Sequence, residues 1–229
     1  MSEEAGKVHT IGIIGGTGKE GMGLAYRWLK TGRRVLIGSR QAEKAQATAA
    51  ELKSMLGEQA DVEGMTNPEA AQASDLVVIT VPFSAHRPTL EGVKDQLAGK
   101  ILVDVTVPLV PPKVTKVQMP PAGSAAQEAL EILGEGTQVV AAFQNVSYEH
   151  LIHDGDIGCD VLVTGSSKAA RTVVLELIRS AGMIGFDAGP IENSVVVEGL
   201  TSVLIGINKQ FGVQSAGIRI IGVPREDAA

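Results

Sequence analysis

Several features that mark particular classes of protein are absent or rare in this sequence. Among 229 residues there is one cysteine, Cys159, which excludes an intramolecular disulfide and fits a reducing compartment. The net charge is −6 and no dense basic run occurs, which argues against nucleic acid as the main partner. Aromatic residues make up only 3% of the chain, so aliphatic residues and glycine must fill the core.

Signals for membranes and export are also lacking. No apolar run approaches the roughly 18 residues of a membrane-spanning helix. The first residues lack the positive segment and apolar stretch of a secretory signal. With 44% hydrophobic and 20% charged residues, we expect a folded, soluble, cytoplasmic protein that binds neither membrane nor nucleic acid.

Short apolar segments alternate with helix-like segments along the chain. Leu76–Val81 and Lys100–Val105 are apolar throughout, as in strands covered on both faces. The other predicted strands are Val8–Ile14, Arg34–Gly38, Asp61–Met65, Gln138–Phe143, Asp160–Val163 and Ile184–Asp187. The predicted helices are Lys19–Lys30, Gln41–Leu56, one capped by Asn67, Ala125–Leu133, Lys168–Ala181, and one capped by Asn193 that reaches Phe211. This alternation predicts an α/β fold with a doubly wound, mainly parallel sheet.

The pattern changes in two places. The stretch Pro108–Pro121 contains five prolines and is interpreted as an ordered loop. After Pro190 the last helix begins a small C-terminal helical unit. We therefore expect two domains, 1–190 and 191–229. The apolar part of the last helix, Val195–Ile207, is either an interface or part of the core.

A glycine-rich segment follows the first predicted strand and opens the first helix. The residues from Gly16 to Gly21 read GTGKEG and fit the pattern G-x-G-x-x-G in that context. Glycines there allow a tight turn and a close approach of backbone to pyrophosphate, which the free N–H groups of a helix start bind well. This predicts a Rossmann-type dinucleotide-binding domain; the alternative is a plain strand–helix turn.

The residues after the second strand indicate which dinucleotide is bound. An NAD site carries an acidic residue there, whereas this chain has Ser39 and Arg40, with Lys44 one turn further on. A hydroxyl and a guanidinium pair well with a 2′-phosphate, so the expected cofactor is NADP. The alternative is that Arg40 and Lys44 are ordinary solvated charges at a helix start.

Five motifs in one order resemble those of a known family. They read GGTGKEGMG, GSRQAEK, ITVPF, VPLVPP and DAGPIENS, and the similarity runs from about Ile11 to Ile220. The chain resembles the F420-dependent NADP oxidoreductases, which reduce the deazaflavin coenzyme F420. The resemblance implies an NADP-binding Rossmann domain, a small C-terminal domain that contributes to the F420 site and to a homodimer, and reversible hydride transfer between NADP(H) and F420.

The resemblance also implies which residues bind the two cofactors. Those matching the family's NADP site are Gly16, Thr17, Gly18, Lys19, Glu20, Ser39, Arg40, Lys44, Val81, Pro82 and Phe83. Those matching the region where nicotinamide and deazaflavin meet, or the F420 site itself, are Leu109, Val110, Pro111, Val146, Val195, Gly199, Thr201 and Ala216. Gln144 stands where some members have histidine, and Val195 and Gly199 replace more polar residues.

The resemblance implies that hydride passes directly from nicotinamide C4 to deazaflavin C5, so we expect the protein mainly to align the rings and exclude water. We expect no indispensable catalytic acid or base and no metal. Two other functions remain open. One is an NADP-dependent reductase of a small imine or keto acid, for which Lys209 is a candidate proton donor. The other is a non-catalytic NADP sensor with Pro108–Pro121 as its docking surface.

Overall fold

In a computed structural model, the described residues are 8–153 and 155–224. They form one eight-stranded sheet in the order β3-β2-β1-β4-β5-β6-β7-β8. The strands are β1 (Thr10–Ile14), β2 (Arg34–Ser39), β3 (Val62–Thr66), β4 (Leu76–Ile79), β5 (Ile101–Asp104), β6 (Gln138–Ala141), β7 (Asp160–Gly165) and β8 (Ile184–Pro190). The pairing of β6 with β7 is antiparallel and the others are parallel, which confirms the predicted doubly wound, mainly parallel sheet.

Helices cover both faces of the sheet. They are α1 (Lys19–Lys30), α2 (Ala42–Leu56), α3 (Asn67–Ala73), α4 (Phe83–Val93), α5 (Ala125–Leu133), α6 (Lys168–Ser180) and α7 (Ser194–Phe211). The core under α1, α2 and α6 contains Trp28 and Phe143, whose ring centroids are 5.9 Å apart in an edge-to-face contact. The opposite core lies under α3, α4 and α5 and is built from aliphatic residues. The sheet is therefore buried on both sides, as the uninterrupted apolar strands indicated.

The order of strands locates a crevice. β1 lies between β2 and β4, so the chain crosses to one side of β1 and later to the other. Ligands of open α/β sheets bind at such a switch point, outside the carboxyl ends of the strands. The glycine-rich turn follows β1 and therefore opens onto this crevice.

In the first half, one helix was missed and one predicted helix cap was wrong. Helix α4 was not predicted, because Pro88 lies inside it and proline removes a backbone donor from a helix. Asn67 does not cap α3: the helix is preceded by Thr66, whose N–H and hydroxyl both donate to Glu69 Oε2, at 2.9 and 2.6 Å. This threonine–glutamate pair is a capping box, and it places Asn67 inside the first turn.

Several predicted strand ends were also wrong. The strands over Leu76–Val81, Lys100–Val105 and Gln138–Phe143 end one or two residues earlier, because their last apolar residues leave the sheet to line cavities or turns. Phe143 has a left-handed backbone, with φ of +74°, which is incompatible with a continuing strand.

Helix α7 is tied to the rest of the chain by polar contacts. The buried carboxylate of Glu198 accepts hydrogen bonds from the N–H groups of Ala125 and Ala126, at 2.7 and 3.1 Å. Asn193 precedes α7 as predicted, but its side chain donates to the carbonyl of Ala188 instead of capping the helix. Pro108–Pro121 is a loop, as predicted. Within the described ranges, none of the helices combines the length and apolar character needed to span a bilayer.

Candidate functional site

The turn between β1 and α1 is shaped by glycines with different tasks. Gly15 has φ of +72°, a left-handed conformation that suits glycine. A Cβ on Gly21 would lie 2.7 Å from Gly16 Cα and from the hydroxyl of Thr80, so this glycine lets helix and strand pack closely. A Cβ on Gly18 would meet only the carbonyl of Gly15, at 3.8 Å. The space beside Gly18 is therefore left open by the protein.

A cavity of about 590 Å³ lies over this turn, and we call it the glycine-turn cleft. Its lining comprises Gly15, Thr17, Gly18, Ser39, Arg40, Gln41, Lys44, Asn67, Thr80, Val81, Pro82, Ala85 and Thr89. The start of α1 supplies backbone N–H groups that have no partner within the helix. Arg40, directly after β2, and Lys44, in the first turn of α2, add two exposed cations. The cleft thus combines a helix N-terminus with positive charge, a setting suited to phosphate groups.

A smaller cavity of about 320 Å³ continues the cleft past Arg40. It shares Ser39, Arg40 and Asn67 with the cleft and adds Pro68 and Pro88 as apolar walls. Its walls come from α3, which begins directly after β3, and from α4, which is separated from β4 by three residues.

A third cavity, of about 370 Å³, lies against α7 and is called the α7 pocket. Its lining comprises Glu20, Val105, Val107, Leu109, Phe143, Gln144, Asn145, Val146, Ser147, Tyr148, Thr201, Leu204, Ile205, Asn208, Gln214 and Ala216. The Asn145 amide holds two of its walls together by donating to the carbonyl of Val197, at 3.0 Å, and to the hydroxyl of Thr201, at 3.1 Å. Most of the other lining residues are apolar.

Comparison with known proteins places this architecture in a family. The sequence model of the family described as "NADP oxidoreductase coenzyme F420-dependent" matches residues 10–108. The chain is 39% identical to the F420-dependent NADP reductase of Methanothermobacter thermautotrophicus, over 96% of this chain and 98% of that relative. The chain belongs to the F420-dependent NADP reductase family.

Two further similar proteins support the same family. The F420-dependent NADP reductase of Methanocaldococcus jannaschii is 38% identical over 92% of this chain and 97% of the relative. A crystal structure of a candidate F420-dependent NADP reductase from Arthrobacter sp. FB24 superposes with a TM-score of 0.77 at 25% identity, covering 93% of this chain and 99% of that one. The family assignment therefore extends over nearly the whole chain.

The structure divides the residues expected to bind cofactors in this reductase family into three groups. The glycine-turn cleft is lined by Thr17, Gly18, Ser39, Arg40, Lys44, Val81 and Pro82. The α7 pocket is lined by Glu20, Leu109, Val146, Thr201 and Ala216. The remaining residues, which line neither of the two, are Gly16, Lys19, Phe83, Val110, Pro111, Val195 and Gly199.

Some residues of the third group have other contacts. Lys19 Nζ donates to the Tyr148 hydroxyl at 3.1 Å and lies 4.5 Å from the centroid of that ring. A Cβ on Gly199 would face Met119 and Val117, at 3.1 and 3.3 Å. The missing side chain of Gly199 therefore makes room for the proline-rich loop, and Gly199 does not face the α7 pocket.

Sequence reasoning for this reductase missed several lining residues. Asn67 lies in the cleft, where its side-chain oxygen accepts from the N–H of Gly15 at 3.3 Å. Its position directly after β3, at the same sheet edge as the glycine turn, was the available signal. Phe143, Asn145 and Tyr148 line the α7 pocket, and no local pattern pairs them with α7.

The α7 pocket also contains unsatisfied polar atoms. Among residues 8–153 and 155–224, three buried side-chain atoms lack a hydrogen-bond partner: Glu20 Oε1, Gln144 Oε1 and Asn145 Oδ1. All three residues line the α7 pocket. Buried polar atoms without partners each cost about 1–3 kcal/mol, so their grouping indicates a site made for a ligand with polar edges.

Several ionisable groups near the pocket have shifted pKa values, and burial raises the pKa of Glu198, on α7, to about 8. Burial raises the pKa of Glu20 to about 8. His86 is fully buried between Asp104 and Glu128, with ring nitrogen to carboxylate distances of 2.7 and 3.2 Å. Burial lowers the pKa of His86, but the two carboxylates outweigh it and raise the pKa to about 9. The charged imidazole thus fixes Asp104, directly before the segment Val105–Leu109 that lines the pocket.

Proposed function

We propose that this chain catalyses reversible hydride transfer between NADP(H) and coenzyme F420, with NADP in the glycine-turn cleft and F420 in the α7 pocket. The activity is that named for its relatives in the family. The observation that carries the proposal is that the start of α1 borders both cavities: Thr17 and Gly18, directly before the helix, line one, and Glu20, in its first turn, lines the other. Two cofactors bound there would meet at this turn.

For NADP, we propose that the open space beside Gly18 receives the pyrophosphate, held by backbone N–H groups of Thr17, Lys19 and Glu20. The N–H of Gly18 donates to the carbonyl of Gly15 at 3.3 Å, so Gly18 would contribute through the space that it leaves. The support is the helix N-terminus and the absence of acidic side chains from the described lining of the cleft. Gly16 would contribute through the shape of the turn. Phe83, at the start of α4, would act through the neighbouring Val81 and Pro82, which line the cleft.

We propose that Ser39, Arg40 and Lys44 bind the 2′-phosphate. Ser39 ends β2 and is buried, while Arg40 and Lys44 are exposed at the mouth of the cleft. A guanidinium pairs with two phosphate oxygens, and a second cation adds attraction. The smaller cavity past Arg40 would take the adenine, because Pro68 and Pro88 give it apolar walls.

For F420, we propose contacts from Leu109, Val146, Thr201 and Ala216, which line the α7 pocket. The unsatisfied oxygens of Gln144 and Asn145 support a ligand carrying N–H or O–H donors, as the pyrimidine ring of a deazaflavin does. Val110, Pro111 and Val195 would contact only parts of F420 that extend beyond the pocket. We propose no direct contact for Gly199, because it faces Met119 and Val117.

The chain's own residues would align the two reacting rings and exclude water from between them. When both are bound, NADPH supplies a hydride at nicotinamide C4 and F420 accepts it at C5. Pro82 on the cleft side, with Leu109 and Val146 on the pocket side, would hold the rings at about 3–3.5 Å and exclude water.

We also propose the two-domain division at residue 190, a homodimer and a cytoplasmic location. The division is supported by the end of β8 at Pro190, after which the polypeptide contributes α7 and no further described strand. The dimer is supported by apolar side chains exposed on α7: Val195, Val196, Val203, Ile207 and Phe211. The location is supported by the single unlinked cysteine, Cys159, which suits a reducing compartment.

One assay tests the function. Protein is mixed with NADPH and oxidised F420, and loss of the deazaflavin absorbance is followed; we expect turnover in both directions. Absence of turnover would favour a sensor, and turnover only with an imine or keto acid would favour that class of reductase.

A further inference from the structure

The carboxyl group of Glu20 is held in an unusual setting. Glu20 is the second residue of α1, and its partly exposed side chain lines the α7 pocket beside Gln144 and Asn145. Its Oε1 atom is buried without a hydrogen-bond partner among the described residues. An ionised carboxylate with one unsolvated, unpaired oxygen is costly, whereas a neutral acid is tolerated. Glu20 therefore favours its protonated form.

The charged and titratable neighbours do not offset this cost. The adjacent cation, Lys19, pairs with the hydroxyl of Tyr148, which is the other titratable residue lining the pocket. Cys159 lies near enough for Glu20 to contribute to its raised pKa of about 11, which arises first from burial, and it is neutral. The pKa of Glu20 rises to about 8 through burial alone.

The proposed reaction requires a proton as well as a hydride. Its balanced form is NADPH + F420 + H⁺ giving NADP⁺ + reduced F420, because a hydride added alone would leave the deazaflavin one charge more negative. The reverse reaction releases the same proton. A group that stores one proton inside the pocket therefore fits the reaction.

We propose that Glu20 is a catalytic residue that donates this proton in the reduction of F420 and accepts it in the reverse direction, a role that departs from the sequence-based expectation of no catalytic acid or base. The C4–H bond of NADPH breaks, the new C5–H bond takes both electrons, and the O–H bond of Glu20 breaks as its proton passes to the deazaflavin ring. Glu20 is left as a carboxylate and is reprotonated from water. This rests on the proposed function and on F420 occupying the α7 pocket.

The position of Glu20 suits both of its protonation states. In the free pocket, burial favours the acid. Once the proton has left, the carboxylate lies in the first turn of α1, where the partial positive charge of the helix favours an anion. This fixed field acts throughout the reaction and lowers the cost of the carboxylate that forms when the proton leaves.

Glu20→Gln tests the proposal, because it keeps the shape of the side chain and removes the exchangeable carboxyl proton. Glu51→Gln, an exposed position on α2 outside both cavities, is the matched control. The first readout needs no activity: the carboxyl groups of ¹³C-glutamate-labelled protein are titrated by NMR. We expect two signals with midpoints near pH 8 in the wild type and in Glu51→Gln, from Glu20 and Glu198, and only the Glu198 signal in Glu20→Gln.

The second readout is the pH profile of kcat in each direction. In the wild type, F420 reduction should fall about tenfold per pH unit above pH 8, and oxidation of reduced F420 should fall equally below it. Glu20→Gln should lose both limbs and reduce F420 about 100-fold more slowly at pH 7, with an unchanged KM for NADPH.

Two results would count against the account, and they differ. If the wild type reduces F420 but Glu20→Gln keeps its pH profile and rate, or the Glu20 signal titrates near the ordinary 4.5, the role of Glu20 is wrong. If the wild type does not reduce F420 at all, the proposed function itself is overturned, and the proton role with it.

Discussion

At the scale of single residues, two glycines of the same motif have different roles: one is needed for packing and the other leaves space for a ligand. Gly21 is needed by the fold, because a Cβ there would lie 2.7 Å from Gly16 Cα and from Thr80 Oγ1. Gly18 is not, because its Cβ would meet only Gly15 O at 3.8 Å. Its missing side chain leaves room for a ligand.

The matched pair Gly18→Ala and Gly21→Ala should therefore behave oppositely. Gly21→Ala should lower the free energy of unfolding by about 1–3 kcal/mol, because the new methyl group overpacks the strand–helix contact. Gly18→Ala should fold as the wild type does but bind NADPH at least about tenfold more weakly. Thermal denaturation and calorimetric titration measure the two effects; unchanged NADPH binding in Gly18→Ala would exclude pyrophosphate from that space.

Arg40 carries the choice between the two dinucleotides. A charge-assisted hydrogen bond is worth about 1.5–3 kcal/mol, so Arg40→Ala should raise the KM for NADPH roughly 10- to 150-fold. The KM for NADH should change little, because NADH has no 2′-phosphate. Arg179→Ala, an exposed arginine outside both cavities, serves as the control. An equal increase in KM for NADPH and NADH would show that Arg40 does not bind the 2′-phosphate.

At the scale of secondary-structure elements, Glu198 anchors α7 to the start of α5. Both of its carboxylate oxygens accept backbone hydrogen bonds, from Ala125 and Ala126. Glu198→Ala would leave these buried N–H groups unpaired, so the free energy of unfolding should fall by about 2–4 kcal/mol. Glu192→Ala, at an exposed position just before α7, should change it by less than about 0.5 kcal/mol in the same denaturant titration.

The buried group of His86, Asp104 and Glu128 links α4, β5 and α5, and it predicts a pH dependence of stability. The pKa of His86 rises from 6.5 to about 9 on folding, so its stabilising effect is complete below pH 6.5 and is lost as pH rises through 9. This contribution amounts to about 1–3 kcal/mol. His86→Gln should remove it, and denaturant midpoints at pH 6 and pH 9.5 would show a smaller difference in the variant. An unchanged difference would mean that His86 is neutral in the folded protein.

The elements also show which parts of the structure the sequence could predict. The phosphate turn and the tip of β2 depend on short-range spacing, and the sequence placed Gly18, Ser39 and Arg40 at one cleft. Helix α4 was missed because Pro88 argues locally against a helix. Packing in the folded protein overrides this local preference. The α7 pocket depends on long-range contacts such as that between Asn145 and Thr201, which lie 56 residues apart, and no local signal joins them.

At the scale of the whole molecule, the exposed apolar face of α7 is the proposed dimer contact. Val196, on this face, is 69% exposed. A charge there would oppose burial against a second copy, so Val196→Glu should shift sedimentation from dimer to monomer while leaving the circular dichroism spectrum unchanged. Met55→Glu, on α2 and 43% exposed, is the comparison that should leave the dimer intact. If the wild-type protein sediments as a monomer, the proposed dimer is wrong.

The arrangement of two cavities around one helix start leads to the most direct test. NADPH carrying deuterium at the transferred position of C4 is reacted with oxidised F420 in a single turnover, and the reduced F420 is analysed by mass spectrometry. If the cofactors meet at the first turn of α1, deuterium should arrive at C5 without exchange with water. Reduced F420 that carries hydrogen from the solvent instead would contradict direct transfer between the two sites.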